Sequence, residues 1–211
     1  EQARQVLQVI LSHDKPLVVV CDDAYQGMLW EPGLQPRSLF YGLLEGASDN
    51  LLPIKIDGAT KELLFFGGRV GFLTFGVPEE ACSILDEKAR ACARATVSSA
   101  PTPSQALVLS ALNSDDTGAQ IERAFGVLQS RYQSLRRALD DAGIGAWPFN
   151  SGCFALVGTE RDPQQLRREL IEKHSVGLVA IPSAGALRIA YCSLSEAEIP
   201  ALVERLAASL G

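Results

Sequence analysis

Lysine is scarce in this 211-residue chain, with five in all, and no basic stripe runs through it. The net charge is −6, so a nucleic-acid surface is not expected, since a phosphate backbone asks for clustered positive charge. Arg136-Arg137 and Arg167-Arg168 are short pairs on helical patterns and read as solvated faces. Five cysteines are scattered without a C-x-x-C pair. That excludes a disulfide framework or a zinc site as the organising feature, and fits buried or idle thiols in a reducing, cytoplasmic setting. No apolar run reaches the roughly 18–20 residues of a membrane span, so no membrane partner is expected. No signal peptide is expected, and there is no internal repeat and no low-complexity tract. The chain opens inside a helical pattern, which leads us to expect sequence upstream. What is present is ordinary for a globular protein: 47% hydrophobic and 21% charged residues, enough for one large domain or two small ones.

Apolar periodicity predicts a helix over 2–12, with Val6, Leu7, Ile10 and Leu11 on one face. Residues 16–21 form a continuous β-branched run, as in a strand buried within a parallel sheet, and the acids Asp22-Asp23 follow. Further strands are predicted at 51–56 and 69–75, and a helix over 79–95. A breaker segment at 98–104 precedes helices over 104–113 and 116–142, the latter closed by Gly143. The remainder reads as strand (153–157), helix (162–173), two strands (177–181 and 186–192) and a final helix from Ser195. Ser195 and Glu198 form an S-x-x-E capping box. The order implies α/β architecture followed by a compact α+β domain.

Three elements carry chemistry. Asp22 and Tyr25 share one short loop at the carboxyl end of a strand, where ligands of open α/β sheets gather. Lys61, with Thr60 before it, ends Asp57-Gly58-Ala59-Thr60-Lys61 just past the next strand rather than on a helix face. An amine held in a partly desolvated crevice suits Schiff-base chemistry. Eight residues on, Arg69 stands in Gly67-Gly68-Arg69-Val70-Gly71, where glycines admit a close ligand and a guanidinium can clasp phosphate. Each taken alone also reads as a turn-capping acid, a surface lysine and a hairpin.

Together, D-x-A-Y, the strand-end lysine and G-x-R-x-G resemble the class I/II aminotransferase family of fold-type I pyridoxal-phosphate (PLP) enzymes. Asn150-Ser151-Gly152-Cys153-Phe154 and Leu187-Arg188-Ile189-Ala190-Tyr191 resemble that family's late motifs; Arg94 and Ser98-Ser99-Ala100-Pro101 do so more loosely. The resemblance covers the chain but only the second half of a family member. It implies an α/β fold: part of a PLP-dependent transferase large domain, with three strands of its mixed sheet (1–103, including the connecting helix), plus a small C-terminal α+β domain (104–211). It further implies an aminotransferase acting on an amino acid and a 2-oxo acid, with pyridoxal 5'-phosphate as cofactor, working as a homodimer. In that scheme Lys61 holds the cofactor and moves the substrate proton, Asp22 pairs with the pyridine nitrogen and Tyr25 binds the ring's 3-oxygen. Arg69 and Thr60 take the phosphate, while Arg188 and Asn150 face the substrate.

Two departures stand out. The family's serine three residues before the lysine is Gly58 here, and Pro182-Ser183 replaces the P-G pair ahead of the substrate arginine. The resemblance also implies that the phosphate-binding loop and the aromatic ring stacked on PLP lie outside this chain, so the chain alone is expected to bind PLP poorly. A PLP-dependent lyase would use the same cofactor residues. An aminotransferase-like sensing domain of a transcriptional regulator is a reading from a different class, decided by whether a helix-turn-helix region precedes it.

Overall fold

The computed structural model describes residues 1–46 and 48–210, which divide into two compact units. The first comprises Glu1–Gly27 and Gly33–Ile121. In order it holds helix α1 (Gln2–Leu11), strand β1 (Leu17–Asp22), α2 (Leu39–Glu45), β2 (Leu51–Gly58), α3 (Ala59–Glu62), β3 (Gly71–Phe75), α4 (Glu79–Thr96) and α5 (Thr102–Leu112). The sheet order is β1-β2-β3. β1 runs parallel to β2 from Leu17↔Leu51 to Asp22↔Ile56, and β3 returns antiparallel, with Gly71 opposite Gly58. Side chains alternate across β1: Leu17, Val19 and Cys21 are half-buried, whereas Val18, Val20 and Asp22 are exposed. Leu7 and Leu11 of α1 pack over Gly42 of α2 and its C-cap Gly46, and Phe40 and Leu43 of α2 are buried. α2 is absent from the sequence reading. It is only seven residues long and is started by the Ser38 hydroxyl accepting the Phe40 amide at 3.0 Å, too short for a periodic signal.

The second unit comprises Met28–Pro32 and Glu122–Gly211. It takes most of α6 (Thr117–Asp141) and adds β4 (Phe154–Gly158), α7 (Pro163–His174), β5 (Val179–Ile181), β6 (Ala186–Ala190) and α8 (Ile199–Leu210). The antiparallel sheet has order β4-β6-β5. Leu135 and Leu139 of α6, Leu166 and Leu170 of α7 and Leu206 of α8 are fully buried, as are Leu187 and Ile189 of β6. Gly143, at φ +65°, closes α6, and Asp162 caps α7 by accepting the Gln165 amide at 2.7 Å. The Ser195–Glu198 capping box is present, but it opens a 3₁₀ turn (Glu196–Glu198), and α8 starts only at Ile199. β6 likewise stops at Ala190, where a 3₁₀ turn (Tyr191–Ser193) replaces the expected strand residues. Among the described residues no helix is long and apolar enough to cross a membrane.

Candidate functional site

In the first unit, the carboxyl ends of β1 and β2 lie side by side because their pairing is parallel. Asp22 is the last residue of β1 and exposed; its Oδ1 accepts the Ala24 amide at 3.3 Å, a short turn that leads to Tyr25. Lys61 departs from expectation in one respect. It sits in the single helical turn α3, directly after β2, with half-buried Thr60 before it. Four residues are too few for periodicity to register. The turn is held by its own backbone. The Ala59 carbonyl accepts the amides of Leu63 and Phe65 at 3.2 and 3.0 Å, and the Ala59 amide donates to Val70 at 3.1 Å. Ala59 is buried with Val70 and with Val108 of α5, and Leu63 and Phe65 pack against them. The lysine therefore springs from an anchored base.

The Lys61 ammonium lies 5.4 Å from the Tyr25 ring centroid and 4.7 Å from that of Phe66. Two aromatic rings thus neighbour the amine, Tyr25 from the loop after β1 and Phe66 from the loop after α3. Arg69 closes the same loop, exposed, with a left-handed backbone at φ 53° that a non-glycine residue adopts only at a cost. Gly68 beside it has a local reason: a Cβ there would meet the Phe65 ring at 2.1 Å. So the chain's own packing, before any ligand, requires that glycine.

Behind this loop lies a cluster that sequence reasoning missed. Lys55 of β2 is buried, its ammonium bound to Asp57 and 3.7 Å from Asp23. Burial pushes the Cys21 thiol up, with Asp23 adding to it. Burial also pushes the Glu62 carboxyl up, while the Gly58 amide, donating to Glu62 at 3.4 Å, and Lys55 pull it back. The available signal was a lysine at an inward position of a strand, followed two residues later by an acid.

Asn150 and Arg188 belong to the second unit. Arg188, on β6, stacks its guanidinium on Phe154 of β4 at 4.4 Å, and its Nε is buried without a hydrogen-bond partner. Such an atom calls for an acceptor. Asn150 is held by its carbonyl, which accepts the Trp30 amide at 2.9 Å. The indole N–H of Trp30 donates to the Gly152 carbonyl at 2.8 Å and to the Tyr191 hydroxyl at 2.9 Å, and that hydroxyl donates to Gly152 at 2.7 Å. Burial pushes the Tyr191 phenol far up, keeping it a neutral donor. Tyr132 donates to Glu31, and burial, with Glu31 adding, holds its phenol up at about 12. This aromatic network fixes the Asn150–Gly152 backbone, and no local motif announced Trp30 as its partner.

The sequence profile of the family described as aminotransferase class I and II matches residues 1–206. Among solved structures, an aminotransferase from Anaerococcus prevotii superposes with a TM-score of 0.82 at 22% identity, over 100% of this chain and 52% of that one. An alpha-aminoadipate aminotransferase from Thermus thermophilus, complexed with N-(5'-phosphopyridoxyl)-L-leucine, gives 0.79 at 24% identity over 99% and 53%. An aromatic aminotransferase from Pyrococcus horikoshii gives 0.78 at 16% over 99% and 54%. The chain therefore spans about half the length of the solved structures it matches. No protein of curated function matches its sequence.

Proposed function

Because the chain belongs to the class I and II aminotransferase family, we propose that it supplies the lysine-bearing part of a PLP-dependent aminotransferase moving an amino group between an amino acid and a 2-oxo acid. The observation that carries this reading is the Lys61 amine, anchored at its base and flanked by Tyr25, at the paired ends of β1 and β2. The residues fit the cofactor: an amine for its aldehyde, a carboxylate on the exposed side of the sheet, a phenol, and a guanidinium on the same loop as the amine. PLP, when bound, supplies an electron-accepting ring for the pair left at the substrate's Cα.

Each residue then has a task. Lys61 would hold the cofactor through its amine and, when that amine is free, would move the proton at the substrate's Cα. Asp22 keeps a proton on the pyridine nitrogen, and Tyr25 donates to the ring's 3-oxygen. Arg69 and Thr60 bind the phosphate. Arg188 receives the substrate's α-carboxylate, for which its partnerless buried Nε is suited, and so orients Cα; Asn150 adds a polar contact. A cytoplasmic homodimer completes the proposal. The exposed Leu109 and Leu112, neighbours one turn apart on α5, are apolar surface that a second subunit would cover, in keeping with the homodimer.

The test is to express the full-length gene product, add PLP, and follow the visible band of the bound cofactor. Borohydride should then fix the cofactor on the peptide bearing Lys61, and K61A should abolish both. Amino-group exchange between amino acid and 2-oxo acid pairs should follow ping-pong kinetics. Fixation on another residue, or elimination in place of exchange, would overturn the reading.

A further inference from the structure

Lys55 has no place in the chemistry above, yet among the described residues it is the one ionisable side chain buried in the first unit, and it meets acids at the ends of both β1 and β2. Its register partners are Cys21 on β1 and Thr74 on β3. By strand parity, Cys21, Asp23, Lys55 and Asp57 share one face of the sheet, while Asp22 and Ile56 share the other. The final backbone link between the two strand ends is the Asp23 amide donating to Ile56 at 2.9 Å. Beyond it, the Asp23 carboxylate has one buried oxygen without a hydrogen-bond partner, and the Lys55 ammonium 3.7 Å away is the cation that faces it. The same ammonium is bound to Asp57, one residue before the end of β2 and four before Lys61. Side chains of all three keep 16% exposure or less, so the contact is largely withdrawn from water.

We propose that Lys55 is a positioning residue: its buried ammonium, held between Asp23 and Asp57, locks the ends of β1 and β2 so that Asp22 and Lys61 keep their places for the cofactor. The cofactor half of this statement rests on the function proposed above; the locking of the strand ends does not. Neutralising the cluster and locking the strands are separable roles. A buried ion pair that loses one partner is strongly destabilised, whereas removing all its charges together can be neutral. An ammonium shared by two strands also restrains geometry, and a charge-free replacement would not restore that restraint.

The experiment compares the full-length wild type, K55M and the charge-free variant D23N/K55M/D57N. It uses thermal melting, amide hydrogen exchange corrected for intrinsic rates, and PLP titration by absorbance. K55M should melt lower, and the Asp23 and Ala59 amides should exchange at least about tenfold faster in it. The triple variant should regain most of the melting temperature while those amides stay at least about tenfold faster and PLP binds at least about tenfold more weakly. Recovery of amide protection together with melting temperature would reduce Lys55 to a charge balancer and sink the proposal, as would wild-type protection in either variant. If K55M does not fold, the triple variant decides alone. If the wild type itself takes up no PLP, the function fails, and amide protection still judges the lock.

Discussion

The Lys61 ammonium and the Tyr25 ring face one another at 5.4 Å, although they come from different strand ends. The Phe66 ring also lies beside the amine, at 4.7 Å. Tyr25 therefore offers two separable things, an aromatic face and a hydroxyl. Y25F keeps the face and should bind PLP within a few-fold of wild type. Loss of the phenol's hydrogen bond should nonetheless move the pH midpoint of the bound cofactor's visible band by about one unit. Y25A loses both and should bind about tenfold more weakly, since a cation–aromatic contact at a partly desolvated site is worth on the order of 1 kcal/mol. An absorbance titration against pH and PLP concentration measures both effects. Identical behaviour of the two variants would mean that the aromatic face has no part in binding, and a wild-type midpoint in Y25F would mean that the hydroxyl has no part in setting the band.

Arg188 is poised differently. Stacking on Phe154 fixes the plane of its guanidinium, and the buried Nε lacks an acceptor. A substrate carboxylate fits that plane by two parallel hydrogen bonds, which lysine cannot reproduce. R188M should lower kcat/KM by about 30- to 5000-fold, corresponding to the roughly 2–5 kcal/mol lost on truncating one side of a buried charged pair. R188K should fall between, and PLP affinity should be unchanged in both. Steady-state kinetics beside a cofactor titration separates these. A parallel loss of PLP affinity would assign Arg188 to the cofactor or the fold instead.

What the sequence made legible follows from signal length. The strands at 17–22 and 51–58 and the 25-residue α6 carry runs long enough for burial and periodicity to show, so Asp22 and Lys61 could be set at neighbouring strand ends. The four-residue α3 was invisible, because one helical turn has no period. The 3₁₀ turn at Tyr191–Ser193 was equally hidden, since its residues continue the apolar pattern of β6 while the backbone curls. Two features were illegible for a deeper reason. The Met28–Pro32 segment belongs to the second unit because Trp30 finds Gly152 and Tyr191, more than a hundred positions along the chain, and pairing at that distance leaves no local mark. Lys55 carried no sequence motif of its own, because Asp23, just past the end of another strand, completes its surroundings.

Glu62 offers a test of how that charged cluster weighs on stability. Burial is the main reason its carboxyl is pushed above its ordinary value of 4.5; Asp23 adds to the rise, while the Gly58 amide and Lys55 oppose it. A carboxyl whose proton is held more tightly in the folded chain than in the unfolded one works against folding once it must ionise. Below about pH 4 the group is protonated in both states and costs nothing. As pH rises through 4.5, the unfolded chain releases the proton first and the folded state loses ground, until the folded carboxyl ionises as well. The penalty is then complete and persists at neutral pH. E62Q keeps an oxygen for the Gly58 amide and removes the charge. It should therefore melt higher than the wild type at pH 7, with the gain shrinking to nothing by about pH 3. Melting curves across that range measure it. A variant that is less stable at pH 7 would mean that attraction to Lys55 outweighs burial, and that the Glu62 charge is part of what holds the lysine-bearing turn in place.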